Sequence, residues 1–421
     1  MVNSPRFLPG KSYIPVSGKV FDNEEINNAI KAARDGWWTE GEFGKKFESE
    51  FRKFLGVEYV SLVNSGSSAN LLALYSLTSS VFGKRQLKPG DEFITTAVAF
   101  PTTVNPGVLY GLKPIFIDAE IDTLNIDASQ IEKSITKKTK LIMIAHTLGR
   151  PFDLDKITRL CKKYNLWLIE DCCDALGTKY KGKYVSSFGD IATFSFYPAH
   201  QMTMGEGGAV VTNNPLINRS IRQFRDWGRD CWCDTGHDNT CGKRFGWKLG
   251  ELPQGYDHKY IYSQIGFNLK LTDFQAAIGV AQIKKLPKFI KTRQKNYREL
   301  YNFIKRYEKD LILMKHSPKD DFSYFGLPIV VKPHASFTRN DLTEYLESNH
   351  IGTRNIFSGN LLRHPAYVSR KDEFKIVGSM KIADLVMNNA FWIGVWPGIN
   401  RERINYMCKT IKEFMKSRQG K

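Results

Sequence analysis

The 421-residue chain lacks several features that would each point to a particular class of protein. It has no apolar run of about 18 residues or more, which argues against a membrane-spanning helix. Its N-terminus has no continuous apolar segment of the secretory kind, so we expect a cytoplasmic protein. It also has no internal repeat and no low-complexity tract. With 42% hydrophobic and 25% charged residues, the composition is that of a globular protein of more than one average domain.

Acidic residues are scarce relative to basic ones, with 43 Asp and Glu against 61 Lys and Arg, which gives a net charge of +18. The basic residues are spread along the whole chain, with no arginine-rich tail and no nucleic-acid-binding motif. We therefore expect no nucleic-acid partner. The excess charge serves solubility alone, or it attracts an anionic ligand or an acidic partner.

Cysteine is also sparse, and its number is odd. The seven cysteines are at positions 161, 172, 173, 231, 233, 241 and 408. In a long chain without a secretory signal, such cysteines are more typical of metal binding or catalysis than of disulfides. Three of them lie in residues 228–262, where the sequence has no period of 2 or 3.6. A loop of this length is usually functional or disordered, and its cysteines and aromatic residues argue against disorder.

Strand-like and helical patterns alternate through most of the chain. The runs FITTAV, KPIFID, KLIMIAH, LWLIED, IATFSF and GGAVVT predict a mainly parallel sheet covered by helices, hence an α/β fold. A helical pattern follows from residue 271 to about 309, with a break or kink expected at Pro287. We predict an N-terminal arm (1–22), a large domain that contains the irregular loop (23–285) and a small α+β domain (286–421).

Two motifs lie where strand-like runs end. In the first, NSGSS, small residues let backbone N–H groups approach an anion at a helix N-terminus. An ordinary capped helix explains the same pattern. In the second, LWLIEDCCDALG, Asp171 ends an apolar strand. A carboxylate there either binds a ligand at the carboxyl end of a parallel strand or caps the next helix.

A third motif, TFSFYPAHQMTMGEGGAVVT, places Ser195 and His200 between a strand and a glycine-rich turn. In this order the three motifs resemble those of the sugar aminotransferases, which have the aspartate aminotransferase fold (fold type I of the vitamin B6-dependent enzymes). The resemblance covers nearly the whole chain and includes GWWTEGEFGKKFESEF, HTLGRPFDLDKI and GFNLKLTDFQAAIGVAQ. It implies a cofactor-binding large domain with a mainly parallel central sheet and a smaller α+β C-terminal domain.

The resemblance also implies how the cofactor phosphate is bound. The residues at the matching positions are Gly66, Ser67, Ser68 and Ser195. Asn268, in the GFN motif, corresponds to a residue that reaches the phosphate of the neighbouring subunit. A homodimer with shared active sites is therefore expected.

Three further positions correspond to residues around the cofactor ring. Phe100 would stack on the ring. Asp171 would pair with the pyridine nitrogen, which keeps the ring an electron sink. Asp174 stands where the family usually has glutamine near the ring hydroxyl, so we expect a different contact there.

The main departure from the family pattern is His200, which stands where the family has its Schiff-base lysine. An imidazole cannot form a Schiff base with an aldehyde, so the cofactor would be held non-covalently as pyridoxamine phosphate (PMP) rather than as covalently bound pyridoxal phosphate (PLP). His200 would act as the proton-transfer residue, because an unperturbed histidine has a pKa of about 6.5. A purely structural histidine is the alternative.

Two kinds of sugar 3-dehydratase within this family share the lysine-to-histidine replacement. One acts on a GDP-linked sugar, takes its amine from glutamate and has no iron–sulfur centre. The other acts on a CDP-linked 4-keto-6-deoxyhexose and carries a [2Fe-2S] cluster. The spacing of Cys173, Cys231, Cys233 and Cys241 resembles that of the second kind, so these would be the cluster ligands. The spacing matches neither ferredoxin nor zinc-knuckle rules, and zinc or free thiols stay as alternatives.

The second kind implies the loss of the C3 hydroxyl and then a reduction. A flavin- and iron–sulfur-containing, NAD(P)H-dependent reductase would be a transient electron donor. The product would serve the synthesis of a 3,6-dideoxyhexose for surface polysaccharide. Alternatives are the cluster-free GDP-4-keto-6-deoxymannose 3-dehydratase that uses glutamate, an ordinary aminotransferase, and a non-enzymatic sensor with this fold.

Overall fold

The structure is a computed structural model that describes residues 6–317 and 319–419. The first five residues of the predicted arm and residues 318, 420 and 421 of the predicted small domain lie outside these ranges. Residues 6–22 are irregular, with one isolated bridge from Ile14 to Ile351. The described part contains no helix long and apolar enough to cross a membrane.

The strands and helices follow the alternation predicted from the sequence. The strands are β1 (Tyr59–Val63), β2 (Glu92–Thr96), β3 (Lys113–Ile117), β4 (Thr139–Ala145), β5 (Trp167–Asp171), β6 (Lys179–Tyr180), β7 (Lys183–Tyr184), β8 (Ile191–Ser195), β9 (Gly208–Thr212), β10 (Leu311–Leu313), β11 (Gly326–Val331), β12 (Thr353–Arg354), β13 (Lys375–Val377) and β14 (Ala390–Gly394). The helices are α1 (Asn23–Asp35), α2 (Glu42–Leu55), α3 (Gly66–Ser76), α4 (Pro101–Tyr110), α5 (Ile131–Ser134), α6 (Leu154–Tyr164), α7 (Pro215–Arg225), α8 (Asp273–Ile304), α9 (Arg339–Ser348), α10 (Pro365–Val368), α11 (Lys381–Asn389) and α12 (Arg401–Gln419).

The largest sheet has eight strands in the order β1-β9-β8-β5-β4-β2-β3-β13. All of them run in the same direction except β9, which is antiparallel to both β1 and β8. Alternate residues of a strand enter different cores, as Ile94 and Phe93 of β2 do. Burial on both faces explains why these strands are nearly continuous apolar runs. The predicted mainly parallel α/β fold is confirmed.

A second, four-stranded antiparallel sheet has the order β10-β11-β14-β12 and has its own apolar core. Strand β13 comes from the same C-terminal part of the chain but pairs with β3 of the large sheet. The domain boundaries at 22 and 285 stay a prediction. The break expected at Pro287 does not occur, because α8 continues through that residue to Ile304.

Residues 228–262, called the cysteine loop below, contain only one short 3-10 turn, His258–Tyr260, among their described residues. The loop begins just after α7, which packs on β1 and β9. Arg225, at the end of α7, donates from Nη1 to the carbonyl of Leu62 in β1 at 3.2 Å. The loop therefore starts at the β1 edge of the large sheet.

Candidate active site

The predicted phosphate turn joins β1 to α3. Ser65 caps the helix, because its Oγ accepts from the backbone N–H of Ser68 at 3.0 Å. Ser195, at the end of β8, lies directly against Gly66, where an added Cβ would come within 2.4 Å of the Ser195 Cβ. Only glycine fits there without displacement. The turn and the end of β8 thus meet at a helix N-terminus, an arrangement that suits an anion such as a phosphate.

Asp171 is buried at the carboxyl end of β5 and is held by three donors. Its Oδ2 accepts from Asn70 Nδ2 at 2.8 Å and from Thr103 Oγ1 at 2.7 Å, while its Oδ1 accepts from the backbone N–H of Cys173 at 3.1 Å. Thr193 donates to Asn70 Oδ1 at 2.6 Å and fixes the amide. The carboxylate is therefore rigidly oriented, as a partner of a ring nitrogen must be.

Sequence reasoning missed Asn70 and Thr103. Each follows a motif that was singled out, since Asn70 lies one turn into α3 and Thr103 one turn after Phe100. Phe100 itself is 53% exposed at the N-terminus of α4. Helix α4 therefore orients Asp171 through Thr103 and also carries the exposed ring of Phe100 at its N-terminus. Such a ring fits the stacking role expected for Phe100.

His200 lies in the turn after β8, and its side chain is 14% exposed. Its Nδ1 is 3.5 Å from Asp174 Oδ1 and makes no hydrogen bond among the described residues. The imidazole packs beside the Phe325 ring, with 5.2 Å between centroids. The carbonyl of His200 accepts from Arg293 Nη2 at 2.8 Å. The main chain and the ring of His200 are therefore both fixed.

The pKa values of His200 and Asp174 are both shifted far from their ordinary values. Burial and the charge of Arg293 lower the pKa of His200 to about 3. Burial and the charge of Asp171 raise the pKa of Asp174 to about 8. Near neutral pH the imidazole is therefore uncharged and its neighbour carries the proton. An uncharged imidazole can accept a proton from a reacting group.

Asn268 is exposed, and its Oδ1 accepts from Lys270 Nζ at 3.0 Å. Its segment is tied to the phosphate turn, because the N–H of Asn64 donates to the carbonyl of Leu269 at 2.9 Å. Only one chain is described, so the role of Asn268 in a neighbouring site stays a prediction.

Three of the four cysteines predicted as metal ligands line one cleft in the cysteine loop, together with His258. Their sulfurs already accept hydrogen bonds. Cys231 Sγ accepts from the N–H of Cys233 at 3.5 Å, Cys241 Sγ from the N–H of Lys243 at 3.4 Å, and Cys233 Sγ from Thr240 Oγ1 at 3.0 Å. Donors of this kind stabilise metal-bound thiolates and tune iron–sulfur centres. Thiol groups with such donors suit an iron–sulfur cluster, although the three sulfurs do not all lie within 4.8 Å of one another, as ligands of a single ion would.

Cys173 does not line that cleft. It follows β5 and lies beside Asp171, and burial together with the charge of Asp171 raises the pKa of its thiol. Cys172 and Cys161 are buried, as expected of small apolar side chains, whereas Cys408 is half-buried. One chain thus brings three of the four predicted ligands together and leaves the fourth at the cofactor site.

The mainly parallel sheet, the phosphate turn and the buried Asp171 define a vitamin B6-dependent enzyme of the aminotransferase fold. Residues 19–412 match the model of the DegT/DnrJ/EryC1/StrS aminotransferase family, and the chain belongs to this family. The resemblance found in the sequence is confirmed, as are its fold and the prediction of an enzyme.

Three relatives show how the chain sits within the family. It is 51% identical to the lipopolysaccharide biosynthesis protein RfbH of Salmonella typhimurium, over 98% of this chain and 94% of that protein. It is 46% identical to the dTDP-4-dehydro-2,6-dideoxy-D-glucose 3-dehydratase of Saccharopolyspora spinosa, over 98% and 88% of the two chains. The solved structure of E. coli GDP-4-keto-6-deoxy-D-mannose-3-dehydratase with bound hydrated PLP has a TM-score of 0.84, 29% identity and coverage of 95% and 99%.

Proposed function

We propose that this protein is a PMP-dependent 3-dehydratase of a nucleotide-linked 4-keto-6-deoxyhexose. The observation that carries the proposal is His200, a half-buried histidine beside Asp174 that the family resemblance assigns to the position of the family's lysine. Two of the relatives are named as sugar 3-dehydratases, and the E. coli one was solved with PLP bound. Both names support this reaction class, and the E. coli structure also supports a B6 cofactor.

When bound, the cofactor would supply the amine that links to the C4 ketone of the sugar and a ring that accepts electrons. The N-terminus of α3 and Ser195 would hold its phosphate. Asp171 would keep the ring nitrogen protonated, and Phe100 would cover one face of the ring. These groups would bind and orient the cofactor, because they come from rigid strand ends and helix starts.

His200 would move the proton. Its Nδ1 faces Asp174, so Nε2 is the atom that would accept a proton from the carbon next to the cofactor amine. The C3 hydroxyl of the sugar would leave with its bonding electrons as that proton is removed, so that the proton and the hydroxide together account for the water that is lost. Arg293 and Phe325 would keep the imidazole in place during this transfer.

For the finer assignment, we propose a CDP-linked substrate and a [2Fe-2S] cluster held by Cys173, Cys231, Cys233 and Cys241. The cluster would supply single electrons that it receives from a flavin- and iron–sulfur-containing, NAD(P)H-dependent reductase. The product would then enter 3,6-dideoxyhexose synthesis for surface polysaccharide. The hydrogen bonds to the loop sulfurs support this assignment, as does the lipopolysaccharide role named for the Salmonella relative.

The second candidate is a cluster-free GDP-4-keto-6-deoxymannose 3-dehydratase that uses glutamate. It is favoured by the position of Cys173, which lies outside the cleft of the other three cysteines. The E. coli structural relative bears this name.

The test is the visible spectrum of anaerobically purified protein with its iron and sulfide content, followed by turnover of CDP-, GDP- and dTDP-linked 4-keto-6-deoxyhexoses. We expect cluster absorbance and reductase-dependent consumption of the CDP-sugar. Iron-free protein that turns over a GDP-sugar with glutamate would support the second candidate. Irreversible attachment of the coenzyme to the chain by borohydride would contradict both, because it requires a Schiff-base amine.

A further inference from the structure

The four candidate metal ligands lie in two separate places in one chain. Cys173 follows β5, and the sheet order β1-β9-β8-β5 places it three strands from the β1 edge. Adjacent strands are about 4.8 Å apart, so β5 lies roughly 14 Å inside that edge. The cleft of Cys231, Cys233 and Cys241 is lined only by residues of the cysteine loop. That loop starts at the β1 edge of the sheet. A two-iron cluster needs all four sulfurs around one small group.

The two ends of the cysteine loop are joined to each other, and its middle packs on Trp37. The N–H of Asp230 donates to the carbonyl of Ile261 at 2.8 Å, and Arg229 forms a bridge with Tyr262. Asp226, just before the loop, pairs in the same way with Asn268. In the loop, Gly236 lies so close to Trp37 that an added Cβ would come within 2.9 Å of the indole. Movement of the three cysteines to Cys173 of the same chain would separate Gly236 from Trp37.

The segment at the base of the loop also has exposed apolar side chains, with Lys270 Nζ over the Trp227 ring at 3.6 Å. Ile265 is 95% exposed, Tyr262 53% and Trp227 43%. Apolar groups clustered in this way mark a surface that another protein covers. Asn268 lies in the same segment, and the family resemblance assigns it to a neighbouring subunit's phosphate. The occupant is therefore a second copy of this chain.

We propose that the metal site is completed across a homodimer, with Cys231, Cys233 and Cys241 from one subunit and Cys173 of the partner subunit. This inference rests on the proposed cluster and specifies its ligand set. A twofold axis would produce two identical shared sites. Each cluster would then lie beside the cofactor site of the subunit that provides Cys173, because that residue is hydrogen-bonded to Asp171 through its N–H.

Hybrid dimers test this arrangement directly. One protomer carries Cys173→Ser, the other carries Cys231→Ser and Cys233→Ser, and two affinity tags isolate the mixed dimer after co-expression. If the site is shared, one of its two sites contains the intact loop and the intact Cys173, so iron and sulfide reach half the wild-type content. Both variant homodimers should lack the cluster. An empty hybrid, or a Cys173→Ser homodimer with wild-type cluster content, would overturn the proposal.

The converse hybrid pairs a wild-type protomer with one that carries all three substitutions. A shared site predicts no intact cluster, because one of the two sites then lacks Cys173 and the other lacks two loop cysteines. Half the wild-type content would show that each subunit binds its own cluster. PMP content and dimer size are measured for every species, and Cys408→Ser serves as the control that keeps full loading. Wild-type protein without iron would instead refute the proposed cluster itself, so the two failures are distinguishable.

Discussion

The cofactor site and the cysteine loop are built in opposite ways. The proposed cofactor site takes its groups from the ends of β1, β5 and β8 and from the starts of α3 and α4, and its carboxylate Asp171 is fixed by three hydrogen bonds. The cysteine loop has a single 3-10 turn, and its cysteines are held mainly by contacts within the loop. At the first site, the groups that come from a single chain are already in place without a ligand. The second, by our proposal, is completed only when the cluster binds, as metal sites in irregular segments are.

The largest expected effect of a single substitution is at the cofactor site. His200→Asn should lower kcat for dehydration by about 10²–10⁴-fold, the usual contribution of a positioned acid–base group. PMP binding should be unchanged, because asparagine keeps the polarity of the site and His200 does not bind the phosphate turn. Steady-state kinetics and cofactor titration check this. Dehydration at the wild-type rate would remove the proton-transfer role.

Asp171→Ala should destabilise the cofactor site most. It leaves the buried donors of Asn70 and Thr103 without an acceptor, and each stranded donor costs about 1–3 kcal/mol of unfolding free energy. Urea denaturation of the cofactor-free protein measures this. The exposed Asp372→Ala is the matched control, expected within about 0.5 kcal/mol of wild type. Equal stability of the two variants would mean that the hydrogen bonds around Asp171 add nothing to the fold.

The cofactor site and the cysteine loop also differ in how much of each could be predicted from the sequence. The strands and the turn after β1 follow from local patterns that each match an element of the fold, whereas the roles of Asp171 and His200 come from the family resemblance and stay predictions. Asn70 and Thr103 could not be found in this way, because their role depends on α3 and α4 meeting β5 through long-range packing. The loop cysteines were assigned as ligands because their spacing resembles that of the cluster-containing kind of dehydratase, since no general spacing rule gives that assignment. Spacing carries no information on the position of Cys173 relative to them, since that depends on the order of strands in the sheet.

Glycine substitutions compare the packing of the two regions. Gly66→Ala places a Cβ 2.4 Å from the Ser195 Cβ, and such overpacking costs about 1–3 kcal/mol. PMP affinity should fall as well, because the phosphate turn must shift. Gly246→Ala in the cysteine loop meets its nearest atom at 3.5 Å, which is ordinary contact. Denaturation curves and PMP titration should show a loss of stability and of PMP affinity for Gly66→Ala and no such loss for Gly246→Ala.

The pH dependence of stability should also reveal the cofactor site. The pKa of Asp174 is about 8 in the folded protein, above its ordinary value, so the folded state binds the proton more tightly than the unfolded chain. The stability that protonated Asp174 contributes is fully present below the pKa of the unfolded chain, near 4, and is lost as the pH rises through about 8. Asp174→Asn should flatten this decline in cofactor-free protein. An unchanged pH profile would mean that Asp174 titrates normally.

The smallest expected effect on stability is at the cysteine loop. The cluster-free double variant Cys231→Ser and Cys233→Ser should unfold within about 0.5 kcal/mol of the cluster-free wild type, because both thiols are partly exposed and pack on no core. The same variant should keep the dehydration half-reaction and lose the reductase-dependent step. Single-turnover dehydration and coupled NAD(P)H oxidation separate the two. If dehydration failed together with reduction while PMP stayed bound, the loop would be part of the cofactor site, and the contrast between a preformed site and a ligand-ordered one would not hold.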